Sequence, residues 1–364
     1  MRLRFRVPFI SPYGDFRDRL GSVSTDSVGI HTDSVPGVGP QPALSAELWQ
    51  AFLAGARGVC ARLISKVEND PRSVPAIRER FAGRLGQAIR IGVTGPPGVG
   101  KSTLCSVIAL GLAERQHRVG VIAVDPSSPF TGGAFMGDRV RMERFVGDDR
   151  IFMRSLASRE GRGGLSPATP YVADVIEAFG MDRILIETVG VGQAELDVLN
   201  CADLVVLVLQ PSTGDAIQSL KAGIMEAADL IVVNKSDLPG ADTVLQSLRF
   251  VYSLGGAKAR KAPPLLATSA QQTEGLDELV DTIERLATSL VESGRHRELR
   301  QARLVDEIRR GIQQELWERF LSQTEAESAI QKVAADLAES GGMAYDFVRA
   351  ACSQVELRVR EKRD

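Results

Sequence analysis

The residues Gly95-Pro96-Pro97-Gly98-Val99-Gly100-Lys101-Ser102 fit the pattern Gly-x-x-x-x-Gly-Lys-[Ser/Thr]. An apolar run precedes them and a helix-forming run follows, the context in which such a loop surrounds phosphates. The glycines permit a tight turn whose N–H groups, with the N-terminus of the next helix, face an anion; Lys101 then reaches β- and γ-phosphate oxygens and Ser102 a Mg²⁺ ion. This reading makes Gly95, Pro97, Gly98, Val99, Gly100, Lys101, Ser102 and Thr103 the phosphate-binding set and Lys101 also a catalytic candidate. A bland glycine-rich turn is the alternative, and a full match in this context argues against it.

Asn234-Lys235-Ser236-Asp237 follows the apolar run Leu230–Val233, which places it at the C-terminal edge of a sheet, beside the phosphate loop. Asp237 can accept hydrogen bonds from guanine N1–H and the 2-amino group, whereas adenine presents an acceptor and no amine there. An unpaired carboxylate against adenine costs roughly 1–3 kcal/mol, so GTP and GDP are expected to win over adenine nucleotides. Ser269-Ala270 ends another apolar run, and its backbone is placed to meet guanine O6. Alone, the short Asn-Lys-x-Asp pattern often marks only a turn; joined to the phosphate loop and to Ser269-Ala270 it specifies a base.

Three acids complete the expected site. Asp125 and Glu187 each end an apolar run, and Asp138 lies in the stretch Gly132-Gly133-Ala134-Phe135-Met136-Gly137-Asp138-Arg139. Hard oxygen donors beside phosphates suit Mg²⁺, so Ser102, Asp125, Asp138 and Glu187 are the metal candidates, although any one acid could simply cap a strand end. Glu187-Thr188-Val189-Gly190 has an Glu-x-x-Gly form, and Val191 stands where small GTPases carry the water-orienting glutamine. Glu187 and the displaced Gln193 are the remaining catalytic candidates. Slow intrinsic hydrolysis, hastened by a partner, is the expectation.

These residues need a scaffold that brings strand ends together. Apolar, β-rich runs at Ile89–Val93, Val119–Val124, Ile151–Met153, Ile184–Ile186, Leu204–Leu209, Leu230–Val233 and Leu265–Ala267 alternate with helical stretches. Short continuous apolar runs belong to strands covered on both faces, so an α/β core with a mainly parallel sheet is expected over 88–290. Before it, Ser45 is a plausible N-cap for one amphipathic helix carrying Trp49, Phe52, Leu53, Val59, Cys60, Leu63, Ile64 and Val67 and ended by Asn69-Asp70-Pro71. A second short helix is expected near 75–86, completing an N-terminal helical region over 44–87. After the core, Leu304, Ile308, Ile312, Leu316 and Phe320 form a stripe, and Thr324-Glu325-Ala326-Glu327 is a capping box for a helix that Gly341-Gly342 ends. This C-terminal helical region, 291–364, reads as a dimerisation arm or as a hairpin on its own core. Residues 1–43 lack periodicity and read as a flexible lead-in.

The 364 residues carry a formal net charge of −2 and a 44% hydrophobic, 25% charged composition, that of an ordinary globular protein. No basic field supports a nucleic-acid or membrane-surface partner. No apolar run approaches the roughly 20 residues of a membrane span, and a cytoplasmic location is expected. Cys60, Cys105, Cys201 and Cys352 form no Cys-x-x-Cys pair and read as reduced and buried. His31, His117 and His296 stand alone and read as surface residues before metal ligands.

Together these residues resemble the metallochaperone-related class of P-loop GTPases and, more closely, the MeaB/ArgK family, related to the human methylmalonic aciduria type A protein. The resemblance runs from Leu53-Ala54-Gly55 to Leu286 through Val124-Asp125-Pro126-Ser127-Ser128, Gly137-Asp138-Arg139, Arg154-Ser155-Leu156-Ala157-Ser158-Arg159, Glu187-Thr188-Val189-Gly190-Val191-Gly192-Gln193 and Gly214-Asp215-Ala216-Ile217-Gln218. It implies a homodimeric GTPase chaperone of adenosylcobalamin-dependent methylmalonyl-CoA mutase, or a related cobalamin-dependent mutase, that gates cofactor loading and protects or reactivates the mutase. It also implies switch segments at 132–145 and 187–195, and a partner-sensing one at 210–223, with Arg139, Asp215 and Lys221 as switch residues. Lys221 as a solvated helix charge is an equal reading. Three other functions compete: a metallochaperone GTPase for a nickel enzyme, which would need thiol or imidazole ligands near the switches, a kinase linked to periplasmic amino-acid transport, and a G-protein acting in translation, for which the sequence shows no evident RNA-binding module.

Overall fold

A computed structural model describes residues 45–126, 145, 147–158, 165–188, 194–211, 222–253, 262–322, 326–340 and 348. The expected lead-in, Asp138, Arg139, Gln193, Asp215, Lys221, His31, Cys352, the capping residues Thr324 and Glu325, and Gly341-Gly342 lie outside them. The chain divides into two compact units, one within Pro40–Leu316 and one that includes the described residues from Trp317 onward.

In the first unit, α1 (Ala46–Leu53) starts as expected at Ser45, whose hydroxyl accepts the Leu48 N–H at 3.3 Å. The single helix expected from there to Val67 is in fact two, because α2 covers Arg57–Asn69. Gly55, at φ +86°, ends α1: its N–H returns to the Phe52 carbonyl and that of Ala56 to Ala51, a Schellman cap. Apolar spacing continues through the break, so periodicity alone hid it. Helix α3 (Val74–Glu79) follows a short 3₁₀ turn at Pro71–Ser73 and is shorter than the 75–86 expected, its last turns unwinding into single-turn hydrogen bonds. Trp49, Phe52 and Phe81 stack with centroids 5.4 to 6.0 Å apart, and Phe52 meets Phe179 at 5.3 Å, seating these helices on the core.

All seven expected strands form: β1 (Ile89–Thr94), β2 (Val119–Pro126), β3 (Ile151–Ser158), β4 (Arg183–Glu187), β5 (Leu204–Leu209), β6 (Leu230–Asn234) and β7 (Leu265–Thr268). They make one parallel sheet in the order β3-β2-β4-β1-β5-β6-β7. Alternate residues feed opposite cores. Ile91, Val93, Leu185, Val206 and Val232 face α4 (Lys101–Glu114) and α9 (Leu276–Glu292). Ile122, Ile184, Ile186, Leu207 and Val233 face the N-terminal helices, α5 (Thr169–Ala178) and α8 (Ala241–Ser253). Burial on both faces is why the inner strands read as unbroken apolar runs rather than alternating ones, whereas β7 at the sheet edge is only partly buried, with Ala267 exposed. Two short helices, α6 (Ala194–Asp197) and α7 (Ala222–Ala227), flank β5.

Polar residues tie the N-terminal edge of the sheet to its helices. Arg90 on β1 is 8% exposed and pairs with Asp174 at 2.6 Å and Glu177 at 3.1 Å. Burial pulls its guanidinium pKa down, but the Asp174 and Glu177 carboxylates more than reverse this and hold it raised. Glu177 also accepts the N–H groups of Gly86, Gln87 and Ala88. His117 and His296 are not the surface residues expected: His117 lies between Asp182 (2.9 Å) and Glu284 (2.8 Å), and the His296 side chain is 11% exposed near Asp203. Carboxylates distant in sequence draw both rings inward. Cys60, Cys105 and Cys201 are buried thiols outside any disulfide, as expected. Burial pushes the Cys60 thiol up to about 12 and that of Cys201 to about 11.

Helix α10 (Arg295–Leu321) buries no residue, and Leu304, Ile308 and Ile312 are 40%, 60% and 48% exposed. Charge holds its first half: Arg303 pairs with Asp203 at 2.6 Å and Glu307 pairs with Arg78. In the second unit Trp317 and Phe320 stack at 5.9 Å, and α11 covers Ala326–Ser340. No helix among the described residues is long and apolar enough to cross a membrane.

Candidate nucleotide site

In a parallel sheet every strand ends at the same edge, and the chain reverses its direction of sheet-building beside β1, which opens a crevice there. The phosphate loop, the residue pair Glu187-Thr188, Gln210, the loop after β6 and the loop after β7 all emerge at this edge. Sequence segments up to 174 residues apart, Gly95 and Ser269, therefore lie on one rim.

The loop between β1 and α4 depends on its glycines. Gly100, the residue before α4, sits at φ +95°, and a Cβ there would lie 2.4 Å from Asn234 Nδ2; one on Gly95 would lie 2.1 Å from the Val208 carbonyl oxygen. Val99 is buried, whereas Pro97 and Gly98 are exposed on the rim. Lys101 opens α4 and is 6% exposed, and its ammonium donates to the Gly95 and Pro96 carbonyls at 2.9 and 2.8 Å. The lysine is thus folded back over the concavity of its own loop, where a phosphate would be met. Ser102 and Thr103 follow in the first turn of α4.

Ser102 donates its hydroxyl hydrogen to Glu187, the last residue of β4, which is 5% exposed. Thr188 continues the link, its N–H bonding the Val93 carbonyl at 3.1 Å and its hydroxyl the Thr94 hydroxyl at 3.2 Å. Hydroxyl plus carboxylate is a hard oxygen donor set, which fits Mg²⁺. The backbone of Asp125 lies two residues past Ala123, the register partner of Glu187, so it reaches the same edge; its side chain is outside what is described.

The loop after β6 is bolted to the phosphate loop. Asn234 is 2% exposed; its amide donates to the Val99 carbonyl at 2.8 Å, and its carbonyl accepts from the Thr268 hydroxyl at 3.2 Å. Lys235, at φ +56°, sends its ammonium to the Gly98 carbonyl at 2.6 Å and to Gln210 Oε1 at 2.8 Å. Ser269, fully buried, donates its hydroxyl to Asp237 Oδ1 and accepts the Gln272 N–H at 3.2 Å. Asp237 itself is exposed, with one carboxylate oxygen fixed from below. Ala270 packs partly buried against the core next to Ser269.

Of the residues singled out in the sequence, the fold brings together Gly95, Pro97, Gly98, Val99, Gly100, Lys101, Ser102, Thr103, Glu187, Asn234, Lys235, Asp237, Ser269 and Ala270. The sequence reading gave Ser269 only a backbone part; its side chain orients Asp237. Thr268 belongs to no motif, and Gln210 figured in the sequence only as the first residue of the partner-sensing segment 210–223; the positions of β7 and β5 in the sheet bring both to this rim.

Comparison with known proteins agrees with this geometry. Residues 60–325 match the family described as Methylmalonyl Co-A mutase-associated GTPase MeaB. A protein of Pyrococcus abyssi named as a GTPase is 44% identical over 266 residues, 72% of this chain and 82% of that one. GTPase ArgK of Escherichia coli is 34% identical over 279 residues, 74% of this chain and 84% of that one. A crystal structure titled LAO/AO transport system kinase superposes with a TM-score of 0.62 at 27% identity, covering 85% of this chain and 96% of that one. A phosphate loop joined to an Asn-Lys-x-Asp loop on a parallel sheet, within a match of that extent, places this chain in the MeaB family of P-loop GTPases.

Proposed function

We propose that the rim formed by the phosphate loop, Glu187, Asn234, Lys235, Asp237 and Ser269 binds GTP and GDP with Mg²⁺. The observation that carries this reading is the direct Asn234–Val99 hydrogen bond of 2.8 Å, which sets the base-reading loop at a fixed distance from the phosphate loop. Asp237, its Oδ1 held by Ser269, offers its carboxylate to guanine N1–H and the 2-amino group. The Ser269-Ala270 backbone meets O6. Lys101 exchanges its carbonyl partners for β- and γ-phosphate oxygens, and the N–H groups from Gly98 to Thr103 surround the tail. Ser102 and Glu187 hold the metal ion with Asp125 and Asp138, and Mg²⁺ when bound neutralises charge developing between the β- and γ-phosphates. Glu187 and Gln193 order the water that attacks the γ-phosphate. Calorimetric titration with GTP, GDP and ATP, with and without Mg²⁺, tests the site: preference for ATP, or no uptake of any triphosphate, overturns it.

We further infer that the chain is a homodimeric, cytoplasmic chaperone of a cobalamin-dependent acyl-CoA mutase, of the methylmalonyl-CoA type, gating cofactor loading and protecting or reactivating the mutase. The family match supports this, as does the resemblance of 132–145, 187–195 and 210–223 to switch segments that carry Arg139, Asp215 and Lys221. Loops ordered by γ-phosphate and released on hydrolysis give a partner a state to read. In this reading 1–43 is a lead-in, 44–87 a helical region, 88–290 the GTPase domain and 291–364 the dimerisation region. Capture of candidate mutases by the tagged protein, with GDP and then with a non-hydrolysable GTP analogue, tests it. Binding to none of them in either state removes the chaperone role and leaves the GTPase. The kinase title of the structural relative motivates a parallel phosphotransfer assay, in which transfer from GTP to a protein acceptor would favour that reading.

A further inference from the structure

Lys235 has to cross the sheet to do its work. Its loop leaves β6, the phosphate loop leaves β1, and β5 lies between them. Strands stand about 4.8 Å apart, so the two loops start about 10 Å from each other. The Lys235 side chain has to reach toward the phosphate loop to meet the Gly98 carbonyl, and holding it there gives up rotamer freedom. Lys235 also occupies a left-handed backbone conformation, φ +56°, which a non-glycine residue keeps only where neighbours hold it.

Gln210 stands midway. It is the first residue after β5, part-buried, and its Oε1 accepts from the Lys235 ammonium at 2.8 Å, while the Gly98 carbonyl takes a second ammonium hydrogen at 2.6 Å. An ammonium has donors only, so the partner decides the orientation of this amide: oxygen toward Lys235, nitrogen away. The two acceptors come from separate elements, and together they define where the ammonium rests.

We propose that Gln210 is a positioning residue for guanine-nucleotide binding, fixing Lys235 across the sheet so that the base-reading loop is in place before the nucleotide arrives; this rests on the guanine site proposed above. β5 thereby joins β6 and β7 as a contributor to base recognition. Ordering Lys235 in advance removes an entropic cost from binding and leaves the chemical step untouched. Losing one charge-assisted hydrogen bond should therefore weaken nucleotide binding about tenfold.

The test is Gln210→Leu, which keeps the bulk and removes the acceptor, beside Gln210→Glu, which keeps an acceptor and adds charge. Affinities for GDP and for GTP, kcat and KM of GTP hydrolysis, and the melting temperature of the nucleotide-free protein are measured on the full chain. The expected result is about tenfold weaker binding of both nucleotides and a KM raised to match in Gln210→Leu, with kcat and melting temperature close to wild type, and recovery in Gln210→Glu. Wild-type affinity in Gln210→Leu overturns the inference, and so does a Gln210→Glu protein as defective as Gln210→Leu. Should Gln210→Leu not fold, Gln210→Ser is read by the same criteria. Asp237→Asn is run in parallel with GTP and XTP: if it leaves GTP preferred, the guanine site itself fails; if it favours XTP while Gln210→Leu binds normally, only the role of Gln210 fails.

Discussion

The Ser102 hydroxyl donates to the Glu187 carboxylate, joining the first turn of α4 to the last residue of β4. A hydroxyl and a carboxylate that touch directly can also share one cation or its water, which makes this pair the structural core of the proposed Mg²⁺ position. Glu187→Ala is expected to raise the Mg²⁺ concentration needed for half-maximal GTP hydrolysis about 10- to 100-fold and to lower kcat at saturation. A magnesium titration of steady-state hydrolysis checks it, and an unchanged midpoint would place the ion elsewhere.

Asn234→Ala should loosen the joint between the two loops. It strands the Val99 carbonyl and the Thr268 hydroxyl in a place where Asn234 itself is 2% exposed. Each loss costs about 1–3 kcal/mol. Urea unfolding should show the drop, and GDP affinity should fall with it.

The buried Arg90 is expected to tolerate no neutral replacement. Arg90→Met leaves buried Glu177 without its guanidinium partner and Asp174 with Arg78 alone, at 2.8 Å. Stranding buried charge costs about 3–5 kcal/mol. Equilibrium unfolding measures it, and replacing Asp174 and Glu177 by neutral residues in the same chain should recover part of the loss.

Acid should weaken the clasp at the edge of β4. Burial raises the Glu284 carboxyl, but the hydrogen bonds and charge of Arg183, with His117, outweigh it and hold it below its ordinary 4.5. A lowered folded-state value means that the contribution is complete above pH 4.5 and is lost as pH falls through the lowered value. Glu284→Gln is therefore expected to flatten the decline of stability with acid in that range, read from melting temperatures against pH.

The exposed apolar stripe of α10 gives the proposed dimer a direct check. Ile308 and Ile312 are 60% and 48% exposed, one helical turn apart. Changing both to glutamate should convert a dimer to a monomer in sedimentation velocity while leaving the fold's circular dichroism unchanged. A wild-type monomer at micromolar concentration would remove the dimer from the proposal.

Much was legible in the linear chain. All seven strands announced themselves as short apolar runs, the inner ones because they are covered on both faces, and the phosphate and guanine motifs were legible because each packs its chemistry into a few adjacent residues. The break at Gly55 was not, since the apolar spacing of Phe52 and Val59 suits one helix as well as two, and only the capping hydrogen bonds choose. Pairings across long stretches, such as His117 with Glu284, leave no local trace either.

What the order of amino acids determined by itself is the inventory: a loop able to hold phosphates, a carboxylate suited to guanine, and strands apolar enough to be buried. Tertiary structure alone decided which side chains outside those motifs would serve them, because strand order places Gln210 between Gly98 and Lys235, and puts Thr268 under Asn234. Sheet neighbours are chosen by burial and hydrogen bonding across the whole chain, and no window of residues contains that choice.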